Sequence, residues 1–574
     1  MIALQYHHAT KHYFNRFARS LGYLDWATQP DPFRRFEGAP SSQLPREAVS
    51  PEVPYEALFN RTANRVPMDD RSIADWLRCG MGLSAWKQFR GSRWALRVNP
   101  SSGNLHPTEA YVIRSASVFH YASREHALER RARLDAGAWE SFIDGRDGLL
   151  VALTSIHWRE AWKYGERAFR YCHHDTGHAI GTLALSASRL GWKMTLLPRW
   201  SDDAVATLLG LDRDEDFVGA EREEPECIAV VTTGDVMPWV EQDPAALVEA
   251  ARSAAWQGRA NRLSSDHVHW QVIDDVAAAT KYPGRTMEGA DPRAAGLPST
   301  SLRPSQTRLH DDQRRPDEHG SLHGRAIIIQ RRSAVAFDAQ STLPKARFLE
   351  MLSRLQPHTA PWDAIDWPPH VHLVVFVHRV DGMLPGVYAC LRDRSVLEEW
   401  RASMRPEFLW EAVDSNESNL FLLVPADVTW PANRASCDQD IAGDGFFSLG
   451  MIARLGRSLA ERGEWFYRRL FWECGLIGQV LYLEAEAAGA RATGIGCFYD
   501  DAVHELLGLT GDTWQSLYHF SMGMPVEDTR LTTESGYEWE TRQEFLQEFY
   551  SRKSTDAPNG ASNSRARAVP SAVR

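Results

Sequence analysis

The loop Asn99-Pro100-Ser101-Ser102-Gly103-Asn104-Leu105-His106-Pro107-Thr108-Glu109 leads into an apolar stretch, Ala110-Tyr111-Val112-Ile113, that predicts a β-strand. Pro100 and Pro107 restrict the backbone and have no amide donor, and Gly103 permits a turn that a side chain would block. The two serines and the asparagine add hydroxyl and amide groups to that turn. The stretch is typical of a capped polar turn, and it also offers several hydrogen bonds to a ligand within a small space.

The composition is that of a globular protein with more than one domain. The chain has 574 residues, of which 43% are hydrophobic and 24% are charged, so it is too long for a single ordinary core. Its formal net charge of −11 argues against a nucleic-acid partner and against binding to an anionic membrane surface. Both need an excess of basic residues.

Further features predict a cytoplasmic location. No apolar run reaches the roughly 18 residues of a transmembrane helix, and the first residues, Met1–His8, lack the basic and then apolar order of a signal peptide. The cysteines are scattered and form no Cys-x-x-Cys pair, which predicts reduced thiols. They are Cys79, Cys172, Cys227, Cys390, Cys437, Cys474 and Cys497.

An internal repeat organises the chain. Residues 165–211 align without a gap on residues 463–509, at an offset of 298. The stretch Asp202-Asp203-Ala204-Val205 followed by Leu208-Leu209-Gly210-Leu211 returns as Asp500-Asp501-Ala502-Val503 followed by Leu506-Leu507-Gly508-Leu509. The chain therefore contains two copies of one fold, and symmetric copies of this kind pair isologously as a pseudo-dimer.

Strands and helices alternate around each copy, which predicts an α+β fold. We expect a strand before the repeated helix at Leu149–Ile156 in the first copy and at Asn419–Val424 in the second. The predicted division is an N-terminal arm at 1–50 with a helix over Ala9–Leu21, a first domain at 51–240, a linker at 241–322, a second domain at 323–535, and a C-terminal helix with a disordered tail at 536–574.

The pattern Pro-Ser-Ser-Gly-Asn-x-x-Pro-x-Glu at 100–109 resembles the flavin-contacting loop of the nitroreductase-like FMN family, in the form found in SagB-type azoline dehydrogenases. That family is ordinarily a dimer with FMN bound across the interface. The resemblance therefore implies two tandem nitroreductase-like domains that build this dimer from one chain. In the loop it assigns FMN contacts to Pro100, Ser101, Ser102 and Asn104.

The second copy carries the complementary pieces. Gln330–Asp338 resembles the family's arm around the FMN phosphate, and a phosphate suits guanidinium and hydroxyl donors. Ala492–Phe498 resembles the segment beside the flavin ring, where small residues let backbone amides approach N5. A Gly-x-Pro turn at 523–530 resembles the segment that returns a basic residue to the phosphate. The resemblance assigns FMN binding to Arg331, Arg332, Ser333, Gly494, Ile495, Gly496 and Arg530.

The copies differ in these pieces, which predicts one flavin site per chain. The second copy has no asparagine loop near Gln356–Trp362, and the first copy's arm, Asn60–Arg65, is a weakened form. Opposite the small residues of Ala492–Phe498, the first copy has the bulky Leu196–Trp200, which lacks an amide at Pro198. The family's arm often has a basic residue where Val335 stands.

Lys163-Tyr164 precedes the first repeated helix, whereas the second copy has Glu461-Arg462 there. The pair resembles the one associated with proton abstraction in azoline-oxidising members, which implies that Lys163 and Tyr164 are catalytic. A dehydrogenation needs a base while hydride moves to the flavin, and a lysine serves only where desolvation lowers its pKa. The alternative is an exposed, basic helix start.

Other chemistries find less support. Within Cys172–His178, the side chains of His174 and His178 lie on one helical face, as in some zinc sites. No second cluster supplies further ligands, so we predict no metal. No Gly-x-Gly-x-x-Gly or Gly-x-Ser-x-Gly motif is present, which disfavours a separate dinucleotide-binding domain and a serine hydrolase.

The leading hypothesis is an FMN-dependent oxidoreductase, a SagB-like dehydrogenase that oxidises a small or peptide-borne azoline-like ring. One alternative is a reductase of nitro compounds or quinones, with NAD(P)H as the electron donor. Another is a degenerate pseudo-dimer that binds a ligand or partner without turnover. The partner predicted for the leading hypothesis is a small-molecule or peptide substrate.

Overall fold

The computed structural model describes residues 1–49, 52–285, 322–357, 359–415 and 418–540. Each half contains a large sheet flanked by helices. The helices are α1 Ile2–Ala9, α2 Ala57–Asn60, α3 Asp70–Met81, α4 Ala136–Ile143, α5 His157–Tyr164, α6 Ala168–Arg189, α7 Asp202–Leu209, α8 Met237–Val240, α9 Ala245–Arg252, α10 Gln271–Ala279, α11 Gly324–Gln330, α12 Lys345–Ser353, α13 Leu397–Ser403, α14 Thr429–Ala435, α15 Ile441–Asp444, α16 Leu455–Arg462, α17 Phe466–Ala487 and α18 Ala502–Leu507.

The strands divide between the halves in the same way. They are β1 Phe36–Glu37, β2 Ser41–Gln43, β3 Leu83–Phe89, β4 Ser92–Arg97, β5 Thr108–Arg114, β6 Ser117–Ala122, β7 Ala127–Arg133, β8 Gly148–Ser155, β9 Lys193–Leu196, β10 Glu224–Thr232, β11 Ala255–Trp256, β12 Arg259–Ala260, β13 Leu343–Pro344, β14 Val371–Val377, β15 Val380–Asp381, β16 Gly386–Cys390, β17 Glu411–Ala412, β18 Leu420–Pro425, β19 Phe447–Ala453, β20 Arg491–Ile495, β21 Gln515–Gly523 and β22 Thr532–Ser535.

Apart from one edge strand, β11 in the first sheet and β17 in the second, the two large sheets have the same strand order. It is β11-β7-β6-β5-β8-β10-β9 in the first half and β17-β18-β16-β14-β19-β21-β20 in the second. Their strand pairs are antiparallel. Two copies of an α+β fold in tandem are thereby confirmed.

One predicted correspondence between the copies is wrong. The strand Asn419–Val424 is present as β18, but it pairs with β16 and β17 and is not the counterpart of β8. That counterpart is β19, which pairs with the closing strand β21 as β8 pairs with β10. Both β18 and β19 are apolar runs, so only their pairing shows which of them lies beside the closing strand.

The repeated helices α6 and α17 cross between the halves at two glycines. A Cβ on Gly177 would lie 2.1 Å from the carbonyl oxygen of Trp472, and a Cβ on Gly475 would lie 2.1 Å from that of His174. The repeat relates the two contacts by symmetry. Its offset of 298 matches position 177 with 475 and position 174 with 472. The backbones touch here, which only glycine permits. The halves therefore pair isologously.

Buried ion pairs repeat the same symmetry. Arg170 of the first half pairs with Asp500 of the second, with 2.6 Å between Nη1 and Oδ1, and Arg468 of the second half pairs with Asp202 of the first. Arg167 also lies 2.8 Å from Asp500. Burial alone raises the pKa of Asp500, but Arg167 and Arg170 outweigh it and hold that pKa well below its usual range. Each half thus supplies the counter-ion of the other.

The first residues of the N-terminal arm lie between the halves, and the arm's helix is not where we predicted it. The helix is α1, which ends at Ala9, and residues 10–21 are not helical. Lys11 pairs with Asp501 at 2.6 Å, and the amide of His12 donates to Asp500 at 2.8 Å. Contacts of this segment with the second half replace the local hydrogen bonds of a helix.

The described part of the predicted linker, to residue 285, belongs to the first half. Its strand β11 pairs with β7, and β12 pairs with β1. Residues 286–321 and 541–574, which include the predicted disordered tail, lie outside the described residues. Strand β22, at the end of the predicted second domain, pairs with β3 of the first half. No helix in the described ranges has the length and hydropathy needed to cross a membrane.

Candidate functional site

The loop before β5 is a tight turn that uses its polar side chains internally. Gly103 and Asn104 both have φ of 60°. The amide nitrogen Nδ2 of Asn104 donates to the Ala95 carbonyl at 2.9 Å, and Ser101 Oγ accepts from the His106 amide at 2.7 Å. Pro100 is buried. The hydroxyl and amide groups that we predicted to contact FMN therefore fix the shape of the loop.

Two buried carboxyl groups lie behind this loop, and the sequence did not indicate their role. The amide and the hydroxyl of Ser102 each donate to Asp175 Oδ1 at 3.0 Å. Burial raises the pKa of Asp175 to about 7, although hydrogen bonds from Ser101 and Ser102 oppose the rise. Burial, and then the charge of Asp175, raise the pKa of Glu160 well above its usual range. Both groups can therefore be protonated near neutral pH.

The structure brings Lys163 and Tyr164 to the loop. A Cβ on Gly103 would lie 2.6 Å from Tyr164 Oη and 3.2 Å from Lys163 Nζ. Burial, and then the charge of Glu160, raise the pKa of Tyr164 well above its usual range. Tyr164 therefore stays protonated and can donate a hydrogen bond, while the lysine supplies an amine beside it.

The arm of the second half meets the same loop from the other side. Arg331 Nε donates to the Val98 carbonyl at 3.1 Å, and its Nη2 donates to the Arg97 carbonyl at 3.3 Å. The guanidinium lies over the Tyr482 ring, 4.8 Å from its centre. Its Nη1 is buried and has no hydrogen-bond partner among the described residues. An orphaned, charged donor of this kind suits an anionic ligand.

Arg331 belongs to a basic cluster with Lys87, Arg332 and Arg491. Burial, and then the charge of Arg331, lower the pKa of Arg332 to about 10, and Arg491 adds to the effect. Burial and Arg332 likewise lower the pKa of Lys87. Nearby acids offset this charge only in part, since Glu486 lies 3.7 Å from Arg491 and Glu527 lies 2.6 Å from it. A phosphate would relieve the remaining repulsion, so the basic cluster fits the FMN phosphate.

The structure does not bring Arg530 into the basic cluster. Its side chain is 73% exposed and pairs with Asp528 of its own turn at 2.8 Å. Strand β22 then pairs with β3, where Thr533 lies opposite Lys87. Lys87 and Arg491, which we did not predict, lie in the cluster instead. Lys87 comes from the first half, and Arg491 comes from β20, which a bridge between Ser333 and Ala492 joins to the arm. Neither contact has a signal in the local sequence.

The segment around β20 is tightly packed against tyrosines. Ser333 Oγ lies 2.9 Å from Tyr482 Oη, which accepts from the Gly494 amide at 2.9 Å. A Cβ on Gly494 would lie 1.9 Å from Tyr518 Oη. The Gly496 carbonyl accepts from the Tyr171 hydroxyl at 3.0 Å. Ile495 is buried. Small residues are thus required here by tyrosines of the interface, and the Gly494 amide already has an acceptor.

The repeat relates the candidate site to a second position, around Pro198, where a symmetric dimer would have its second site. The chain itself fills this second position. Tyr282 Oη donates to the Pro198 carbonyl at 2.6 Å, and the Arg285 amide donates to the same oxygen at 2.8 Å. The centres of the Tyr282 and Trp465 rings are 4.7 Å apart, and the Arg469 guanidinium lies 4.3 Å from the centre of the Tyr282 ring. We call residues 281–285 the covering segment.

The other parts of that second position are also neutralised. Glu473, the counterpart of Asp175, pairs with Arg392 and accepts from the His370 amide at 3.1 Å. In the weak arm of the first half, Arg61 pairs with Asp363. Neither the carboxyl nor the guanidinium resembles its counterpart in the first position, because each already has an ionic partner.

The histidines of α6 take part in packing. His174 Nε2 lies 3.0 Å from the Leu517 carbonyl oxygen, and the His174 ring stacks on Tyr518 with 4.0 Å between centres. His178 Nε2 lies 3.3 Å from Tyr518 Oη. In the described ranges, no group of three or more His, Cys, Asp or Glu side chains could hold a metal ion.

Comparisons with known proteins supply a family and a fold. The profile of the nitroreductase family matches residues 67–221 and again 328–524. A Methanocaldococcus jannaschii protein assigned as a nitroreductase is 23% identical over 155 residues, which are 25% of this chain and 75% of that protein. A crystal structure from Anabaena variabilis with the same assignment has a TM-score of 0.60 and 19% identity, and the match covers 92% of this chain and 99% of that one. A chain of the E. coli microcin synthetase McbBCD complex matches with a TM-score of only 0.24 and 20% identity, over 33% of this chain and 71% of its own.

Proposed function

Since this chain belongs to the nitroreductase family, we propose that it is an FMN-dependent dehydrogenase of the SagB-like kind with one flavin site. The observation that supports this most is the meeting of two motifs from different halves. Arg331 of the second half binds the backbone at Val98, where the first-half loop begins, and Lys163 and Tyr164 lie against Gly103 in that loop. The proposed phosphate-binding group and the proposed proton-accepting groups thus lie on two sides of the same loop.

In this proposal the basic cluster holds the phosphate. Arg331 Nη1 is the free donor, and Arg332 and Arg491 supply the field that attracts a dianion. FMN, when bound, supplies the hydride acceptor. The loop and β20 come from opposite sides of the interface, so both halves shape the ring site.

The remaining groups handle the proton. Oxidation of an azoline-like ring to an azole removes a hydride and a proton, and Lys163, which lies against the loop, is the group that accepts that proton. Tyr164, which stays protonated, donates a hydrogen bond to the substrate. Glu160 and Asp175 lie behind the pair and can take up a proton at neutral pH. A reductase driven by NAD(P)H would need a proton donor at this place instead.

Replacing Arg331 by alanine should weaken FMN binding by about 1.5 to 3 kcal/mol, because a buried hydrogen bond to a charged group is lost. The measurement is a titration of the apoprotein with FMN, followed by flavin fluorescence. Arg530→Ala is the matched control, because Arg530 is exposed and lies outside the basic cluster, and it should leave affinity unchanged. Wild-type affinity in Arg331→Ala would remove this residue from the site.

The chain should bind one FMN and not two, because Tyr282 and the ion-paired Arg61 occupy the second position. Cofactor released by denaturation from a weighed amount of protein gives the ratio. Two equivalents per chain would refute the single-site proposal. No flavin after reconstitution with excess FMN would favour the alternative of a scaffold without turnover.

The reaction is tested with the reconstituted full chain under anaerobic conditions. A peptide that contains a thiazoline should bleach the flavin absorbance and yield the thiazole, with a mass lower by two hydrogens. If NAD(P)H bleaches the flavin and a nitroarene or quinone restores it, while the thiazoline does neither, the reductase alternative is correct.

A further inference from the structure

Two thiols from distant parts of the second half lie in contact. Cys497 Sγ is 2.9 Å from Cys437 Sγ, and both side chains are partly exposed. A disulfide needs about 2.05 Å between the sulfur atoms, so closing the bond needs a shift of only about 0.9 Å. Solvent-borne reagents can reach the pair.

The surrounding contacts hold the two thiols together. Gln439 Nε2 donates to the Cys497 carbonyl at 2.9 Å, and the Tyr499 amide donates to the Ala435 carbonyl at 2.9 Å. In the turn that carries Cys437, Asp438 accepts from the Tyr499 hydroxyl at 3.1 Å. The segment that follows β20 is therefore fixed on both sides of Cys497 to the turn that carries Cys437.

The pair lies at the edge of the candidate flavin site. Cys497 directly follows Gly496, whose carbonyl accepts from the Tyr171 hydroxyl, and the Tyr171 ring is 4.6 Å from the ring of Tyr164. The contact with Cys437 lowers the pKa of Cys497, and the nearby Arg167 guanidinium lowers it further. The pKa of Cys437 is raised, first by the same contact. One sulfur thus favours the thiolate while the other keeps its proton, as thiol chemistry requires.

We propose that Cys437 and Cys497 are a redox-active dithiol that closes to a disulfide and exchanges two electrons with the flavin site. Closure breaks two S–H bonds and forms one S–S bond. Oxidised flavin takes the two electrons and one proton, and the second proton goes to solvent. A small organic disulfide can also close the pair, since its own S–S bond is reduced to two thiols. The exchange with flavin rests on the proposed function, whereas closure by a small disulfide does not.

Closure is tested on the full chain without flavin. The protein is treated with bis(2-hydroxyethyl) disulfide, the remaining thiols are alkylated, and its peptides are identified by mass spectrometry. We expect two of the seven cysteines to escape alkylation, joined as one Cys437–Cys497 cross-linked peptide pair. Cys437→Ser and Cys497→Ser should each retain a mixed disulfide with the reagent. Cys227→Ser, a partly exposed control, should still close. Full alkylation of both thiols in the wild type would overturn the proposal.

The electron exchange is tested on the FMN-loaded chain after closure. Anaerobic titration with dithionite should need about four electrons per flavin in the closed wild type, since a disulfide and a flavin each take two. Cys437→Ser that has not met the disulfide reagent carries no mixed disulfide and should need about two. If two electrons reduce the flavin fully in both proteins while the disulfide of the wild type stays intact, the proposed exchange is refuted. If the chain binds no flavin, the proposed function fails, and the alkylation result still decides closure.

Discussion

Lys163→Ala should lower turnover of an azoline substrate by about a hundredfold or more while FMN stays bound, because general-base contributions are of that order. The amine lies beside the loop and not in the basic cluster, so its loss removes a proton acceptor and leaves the phosphate contacts in place. Tyr164→Phe should also lower turnover, since it removes the hydroxyl that lies against Gly103 and keeps the ring.

The measurement combines steady-state turnover with the flavin content of each variant. Glu461→Gln is the matched control, because position 461 is the counterpart of 163 in the repeat and Glu461 pairs at the surface with Arg457. It should change neither quantity. Parallel loss of flavin and activity in the Lys163 and Tyr164 variants would make the pair structural. Unchanged turnover would remove the support for a base at this place.

Asp500→Asn should destabilise the chain by about 3 to 5 kcal/mol, the cost of leaving a buried charge without its partner. Two buried guanidiniums of the first half, Arg167 and Arg170, lose the carboxylate that compensates them. The asparagine keeps the size of the side chain, so the effect reports the charge and not a cavity.

Urea unfolding followed by tryptophan fluorescence gives the change in the midpoint. Asp203→Asn is the control, because Asp203 is 81% exposed in its ion pair with Lys281 and surface pairs contribute about 0 to 1 kcal/mol. Equal midpoints for the two variants would contradict the role of Asp500 in joining the halves. A larger loss in Asp500→Asn alone supports it.

The fold class and the number of copies can be recognised from local patterns in the sequence. The gapless repeat between 165–211 and 463–509 is a periodic, local signal, and apolar strands with intervening helices need no tertiary information to be recognised. The loop before β5, the Arg331 arm and the Lys163-Tyr164 pair were also visible as short motifs. Their assignment to one flavin site remains a proposal.

Which side chains meet depends on how the chain folds. Pairing of distant strands brought Lys87 and Arg491 beside Arg331 and Arg332, and it left Arg530 exposed. It also selected β19 rather than β18 as the counterpart of β8.

Three other features came from contacts between residues far apart in the chain. The covering segment from the predicted linker fills the second position, Asp175 becomes a carboxyl with a pKa of about 7, and Cys437 reaches Cys497. Motifs depend on neighbours along the chain, whereas burial, charge and contact depend on chain segments that come together only after folding. The motifs are therefore recognisable in the unfolded chain, whereas the contacts and the shifted pKa values arise only in the folded protein.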